Sequence, residues 1–117
     1  MPVFSVGADD PCLTVRACRF TSPDGTPGEI VHVAGEADAD TAPVLGAALL
    51  HAVEGCAFVQ CDLSRIVFFG AAGANAVALA ARRAAVLEHR LELCGVRGIT
   101  RDVVRVAGLD LIMRVSG

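Results

Sequence analysis

Apolar and polar positions along this chain change period in a regular order. Residues 12–20 alternate, with Leu13, Val15, Ala17 and Arg19 on one side of an extended strand and Thr14, Arg16 and Cys18 on the other. Residues 21–28 are dense in turn formers and predict an exposed hairpin loop. Residues 30–34 (Ile-Val-His-Val-Ala) are almost continuously apolar, which predicts a strand covered on both faces and broken by Gly35. The period then becomes helical. Val44, Leu45, Ala48, Leu49 and Ala52 form a stripe, Asp40 or Thr41 is placed to cap the helix, Pro43 fits its first turn, and Gly55 its end.

A third strand is expected over 56–63, a connection to Phe69, then a long alanine-rich helix over about 72–89. In that helix Asn75, Arg82, Arg83 and Arg90 fall close together, and most of the remaining circumference is Ala, Val or Leu. That is wider than one core contact needs, so part of it suits docking; the plainer account is that Ala favours helix. A short strand over 91–96, a helix over 101–107 capped by Thr100 with Val103, Val104 and Val106 on its apolar side, and a small strand or tail over 109–115 complete the chain. Residues 3–6 fit an extra edge strand or a loose N-terminal segment, and 7–11 a loop. The order β, β, α, β, α, β, α, β predicts one α/β domain over 1–117. It has a mixed, mostly parallel sheet of four to five strands and three main helices.

Composition narrows what such a domain does. Hydrophobic residues make up 54% and aromatic residues 4%, so the core is aliphatic. No apolar run reaches the length of a membrane span, and residues 1–4 lack the start of a signal peptide. The expectation is a cytoplasmic protein with no membrane insertion. The net charge is −3 and all ten basic residues are scattered Arg, so no basic face for direct nucleic-acid binding is visible and no lysine chemistry is available. Five cysteines (Cys12, Cys18, Cys56, Cys61, Cys94), without a C-x-x-C, read as reduced core thiols. The sharper alternative is a redox pair of Cys61 and Cys94 on neighbouring strands. His32, His51 and His89 match no zinc spacing, so no metal and no cofactor is expected.

The functional surface is expected at the stretch Asp62-Leu63-Ser64-Arg65-Ile66-Val67-Phe68-Phe69-Gly70-Ala71-Ala72-Gly73-Ala74-Asn75, where a strand feeds a helix and leaves backbone N–H groups free. From Gly70 to Ala74 there is no Ser, Thr, Cys, His, Lys, Asp or Glu. Ser64 has no His or Cys beside it in sequence, and the glycines match no phosphate-binding motif. The protein is expected not to be an enzyme but to act by contact.

Four blocks, in order from about residue 30 to 115, resemble one family. Gly35-Glu36-Ala37-Asp38 followed by Thr41-Ala42-Pro43, Asp62-Leu63-Ser64, Val67-Phe68, and Ala107-Gly108-Leu109-Asp110 resemble the motifs of the STAS-domain anti-sigma-factor antagonists. The resemblance implies a STAS-like fold and a partner, an anti-sigma factor of the histidine-kinase-like ATPase (serine kinase) type, whose capture releases a sigma factor. Where the family usually carries Asp-Ser-Ser-Gly, this chain has Gly70-Ala71-Ala72-Gly73. The phospho-acceptor position is Ala71, so no phosphate switch is implied at that residue. The contact surface is expected to combine Gly70, Ala71, Ala72, Gly73, Ala74 and Asn75 with Asp38, Asp40 and Thr41. The two carboxylates would face basic groups of the partner. The resemblance also admits a STAS scaffold or transporter-associated subunit with no sigma-factor role, and homodimers or mixed STAS assemblies.

Overall fold

A computed structural model describes residues 3–6 and 12–113. The expected loop over 7–11 and the last residues of the expected tail lie outside them. Five strands form one sheet in sequence order: β1 (Val3–Val6), β2 (Leu13–Thr21), β3 (Pro27–Ala37), β4 (Phe58–Phe69) and β5 (Arg90–Cys94). The first two pairings are antiparallel and the last two parallel, so only β2 runs against the other four. Helices α1 (Ala42–Gly55), α2 (Ala71–Val86) and α3 (Gly98–Val106) follow β3, β4 and β5.

Alternation within the strands decides where the core lies. Leu13, Val15, Val31, Val33, Val59, Cys61, Leu63, Leu91 and Leu93 are buried against Leu45, Leu49, Val53, Val77, Ala80, Ala84 and Val104 from the three helices. The opposite side chains, Arg16, His32, Asp62 and Glu92 among them, remain exposed or half-buried. The sheet is therefore covered on one face. The expectation that residues 30–34 are covered on both is corrected: Ile30, His32 and Ala34 occupy the open face, where an apolar Ile or Ala needs no cover of its own.

Gly35 bends the strand without ending it. It has φ +102° and lies where β3 passes Cys12, and β3 runs on to Ala37. The longest misreading concerns β4. Against β3, its register slips between His32/Ala34 and between Gly35/Glu36, each time by one extra residue on β4. The two β-bulges break the alternation that marks a strand, so 64–69 looks like a connection although it is strand. Two slips restore the original parity, and Phe69 returns to the core at 3% exposure.

The remaining boundaries differ at helix ends. Cys56, not Gly55, follows the last turn of α1, and the α1 stripe is rotated so that Val53 is buried while Val44 and Ala48 are only half-buried. Helix α2 stops at Val86, with Glu88 left-handed at φ 58°, which moves Arg90 out of the helix onto β5, over the Phe58 ring. Arg97 precedes α3, and Thr100 sits inside its first turn without a capping bond. Beyond Gly108 the described residues form a 3-10 turn (Asp110–Ile112) and a parallel bridge from Met113 to Leu93, within the stretch expected as a small strand or tail.

Cys61 and Cys94 do lie on adjacent strands, but Cys61 pairs with Leu93 and Cys94 with Asp62. Successive strand residues face opposite sides, so Cys61 is in the core and Cys94 on the open face. A disulfide between them has no geometry to form in, and burial pushes the Cys61 thiol far up, leaving it inert as a nucleophile.

Candidate functional site

Strands β3 and β4 end side by side. Ala37 pairs with Phe69, both are buried, and the Gly70 N–H donates to the Ala37 carbonyl at 3.0 Å. The segments that leave these strands, 38–41 and the start of α2, therefore emerge at one end of the sheet.

The first segment is held by Asp38. Its Oδ1 accepts from the backbone N–H of Asp40 and of Thr41, each at 3.0 Å. The Thr41 hydroxyl accepts from the Asp38 N–H at 2.9 Å and donates to the Glu36 carbonyl at 2.7 Å, with Asp38 Oδ1 3.2 Å away. Thr41 occupies the cap position but makes no capping bond into α1; the entry turn belongs to Asp38, and Asp40 is simply exposed. The Thr41 N–H, aided by the Thr41 hydroxyl and the Asp40 N–H, holds the Asp38 carboxyl below its ordinary range. The stability this adds is complete above the ordinary carboxylate range and is lost as pH falls through the lowered value.

The second segment is built for close approach. Gly70 is extended (φ −93°, ψ −176°), and α2 begins without a side-chain cap. A Cβ at Gly70 would lie 2.9 Å from the Phe68 ring, and one at Gly73 would lie 2.9 Å from the Ala37 Cβ and 3.1 Å from the Phe69 ring. Gly73 is required by space, since the Ala37 Cβ cannot move aside, whereas at Gly70 the half-exposed Phe68 ring can turn away. The first turn of α2 thus rests directly on the strand ends, with Ala71 and Asn75 exposed and Ala72 half-buried. A groove of about 510 Å³ runs between α2 and α3, lined by Ala71, Ala74, Asn75 and Ala78 on one wall and Asp102, Val103, Val106 and Ala107 on the other.

The structure thus brings the two expected segments together but divides their members. Asp38, Asp40, Gly70, Ala71, Ala72 and Asn75 have accessible surface. Thr41, at 1% exposure, and Gly73 are buried supports, and Ala74 meets solvent only along the groove. Sequence reading missed the α3 wall; Phe68, within the expected stretch, is half exposed beside Gly70. The signal was present in α3: Val103 and Val106 are three residues apart on one side, whereas only Val104 enters the core, leaving Val106 at 91% exposure.

The site offers backbone N–H groups, small apolar side chains and three carboxylates, Asp38 and Asp40 in the loop and Asp102 on the groove wall, which suits recognition. Among the described residues no three His, Cys, Asp or Glu side chains come together as metal ligands, and no helix is long and apolar enough to cross a membrane.

The family model described as "Mlab, STAS domain" matches residues 23–114. Among solved structures, an anti-sigma factor antagonist from Mycobacterium paratuberculosis superposes with a TM-score of 0.71 at 23% identity, covering 87% of this chain and 86% of that one. The anti-sigma factor antagonist SpoIIAA in its unphosphorylated form gives 0.68 at 17% identity, covering 86% and 89%. The Bacillus cell fate determinant SpoIIAA in its phosphorylated form gives 0.63 at 18% identity, covering 86% and 92%. A search of curated protein sequences returned no significant match. At these identities the structural likeness establishes the fold.

Proposed function

The chain belongs to the STAS-domain family, and we propose that it works as an anti-sigma-factor antagonist-like module. In this reading it captures an anti-sigma factor of the serine-kinase type and so frees a sigma factor. The contact surface is the exposed start of α2, the α2–α3 groove and the Asp38–Asp40 loop beside it. One observation carries the reading: Ala71, at the position where the family usually has its phospho-acceptor serine, is exposed at the rim of an apolar groove. It has no hydroxyl, so binding is not interrupted by phosphorylation there.

The same missing hydroxyl favours a second reading, a STAS scaffold or transporter-associated subunit that never needed a switch. Affinity capture from the native host, with mass spectrometry of what co-purifies, separates the two. A histidine-kinase-like ATPase anti-sigma factor supports the first. A transporter ATPase or other STAS proteins in its place supports the second and removes the sigma-factor role.

Asp38 gives a sharper check on the surface. Asp38→Asn keeps an oxygen for the Asp40 and Thr41 N–H groups and removes the charge. Association with the partner should slow and its salt dependence flatten, while the melting temperature stays nearly unchanged. Unchanged association kinetics measured by stopped flow would confine Asp38 to holding the loop.

A further inference from the structure

The open face of the sheet carries a second concave site, independent of the groove. Cross-strand register places Arg16 of β2, His32 of β3 and Asp62 of β4 in one row. A cavity of about 410 Å³ opens over that row, lined also by Thr14, Ser64 and Arg65 and by Val33 and Ala34. The first β4 bulge makes this possible. An unbulged strand would send Ser64 and Arg65 to opposite faces, whereas here both reach the cavity, and Arg65 pairs with Ala34 on the open side.

The charges around the cavity do not cancel. Asp62 is already committed: its Oδ1 accepts the Ser64 N–H at 2.9 Å, and its Oδ2 lies 2.8 Å from His32 Nδ1. Burial alone would raise this carboxyl, but the Ser64 and His32 hydrogen bonds outweigh it and hold it below its ordinary range. As an ionised carboxylate it only accepts, so His32 Nδ1 is the donor. Among the described residues neither Arg16 nor Arg65 takes part in an ion pair, and Arg97 approaches the same corner, donating to the Ser64 carbonyl at 3.2 Å.

We propose that this cavity binds a phosphoryl group, with Arg16 and Arg65 as its charged ligands and the Thr14 and Ser64 hydroxyls as further donors. Donors arrive from β2 on one side and β4 on the other, which suits three terminal oxygens better than the two of a carboxylate. Guanidinium groups match phosphoryl oxygens in geometry and keep their charge throughout. Asp62 is a positioning residue: through Nδ1 it fixes the His32 ring.

The test is a titration of the purified protein with inorganic phosphate and, separately, glycerol 3-phosphate, followed by NMR of backbone amides and by calorimetry. Saturable shifts should cluster at residues 14–16, 32–34 and 62–65. Arg16→Gln and Arg65→Gln should each weaken binding by roughly fivefold or more, and Arg82→Gln on α2 should leave it unchanged. Tighter binding of glycerol 3-phosphate assigns the site to phosphorylated small molecules, and equal binding to free phosphate. Arg16→Lys and Arg65→Lys, which keep the charge and lose the fork, should fall between parent and Gln variant and serve if a Gln variant loses its native spectrum. No saturable shift at tens of millimolar, or affinity indifferent to both arginines, would overturn the proposal.

Discussion

Ala71→Asp is expected to weaken partner binding at least tenfold while the domain stays folded. Residue 71 is exposed at the first position of α2, so a carboxylate there meets water and the positive end of the helix, and the free protein tolerates it. The bound state does not. The groove around it is lined by Ala74, Asn75, Ala78, Val103, Val106 and Ala107, and its one charge, Asp102, is also negative, so contact with a partner strips the new carboxylate of water without supplying a counter-ion from this chain. Leaving a charge desolvated and unpaired costs several kcal/mol, and ~1.4 kcal/mol already corresponds to tenfold in affinity. A phosphate on a serine at this place would act more strongly, carrying about −1.5 to −2 charges.

Ala71→Ser should bind almost as the parent does, since one hydroxyl at a helix start is easily satisfied. Kinase and ATP should not affect binding by the parent. Calorimetry on the three proteins, with intact mass to follow phosphate incorporation, checks both statements. Unaltered affinity in the Asp variant would place the start of α2 outside the interface and remove the reading built on it.

How far this site was legible depended on which kind of information each residue carries. The covered face of the sheet was readable because Leu13, Val15 and Ala17 alternate without interruption, and α1 because its stripe repeats at helical spacing. Strand β4 was not, because two bulges erase alternation in the stretch that leads into the site. Thr41 is legible as a helix-entry residue and does occupy the cap position, but the hydrogen bonds that hold the entry turn come from Asp38. An Asp that accepts from residues two and three positions on has the same local sequence as a loop Asp facing solvent. The juxtaposition of the 38–41 loop with Gly70 followed from the parallel order of β3 and β4. The α3 wall depended on the angle at which that helix packs, which no local pattern encodes.

Gly35→Ala should be the most damaging small substitution in the chain, with a loss of stability of about 3 kcal/mol or more in urea denaturation. Two costs coincide. The residue holds φ +102°, a region that side-chain-bearing residues reach only under strain of about 1–3 kcal/mol. A Cβ would also stand 2.2 Å from the Cys12 carbonyl oxygen, a backbone atom that cannot rotate away, and forced overpacking costs typically ~1–3 kcal/mol. That oxygen also accepts the Glu36 N–H at 2.6 Å, so pushing it aside breaks the contact between the start of β2 and the end of β3. Gly25→Ala, also at positive φ (+88°) but with open space around it, isolates the conformational part and should cost clearly less. Equal losses at the two positions would show that backbone strain, not the approach of Cys12, sets the requirement for glycine.

A sheet covered on one face divides the chain's positions by how freely they can change. Residues 13, 15, 31, 33, 59, 61, 63, 91 and 93 are tied to the packing of three helices, where losing a few methylene groups costs ~2–5 kcal/mol. Of their neighbours on the other side, an exposed one such as Arg16 can change within about ±0.5 kcal/mol, whereas Gln60 is only 8% exposed and Asp62 holds Ser64 and His32. New chemistry can be tried at the exposed positions of that surface at little risk to folding. The exposed positions of the open face are thus open to experiment while the core-facing residues keep the domain intact.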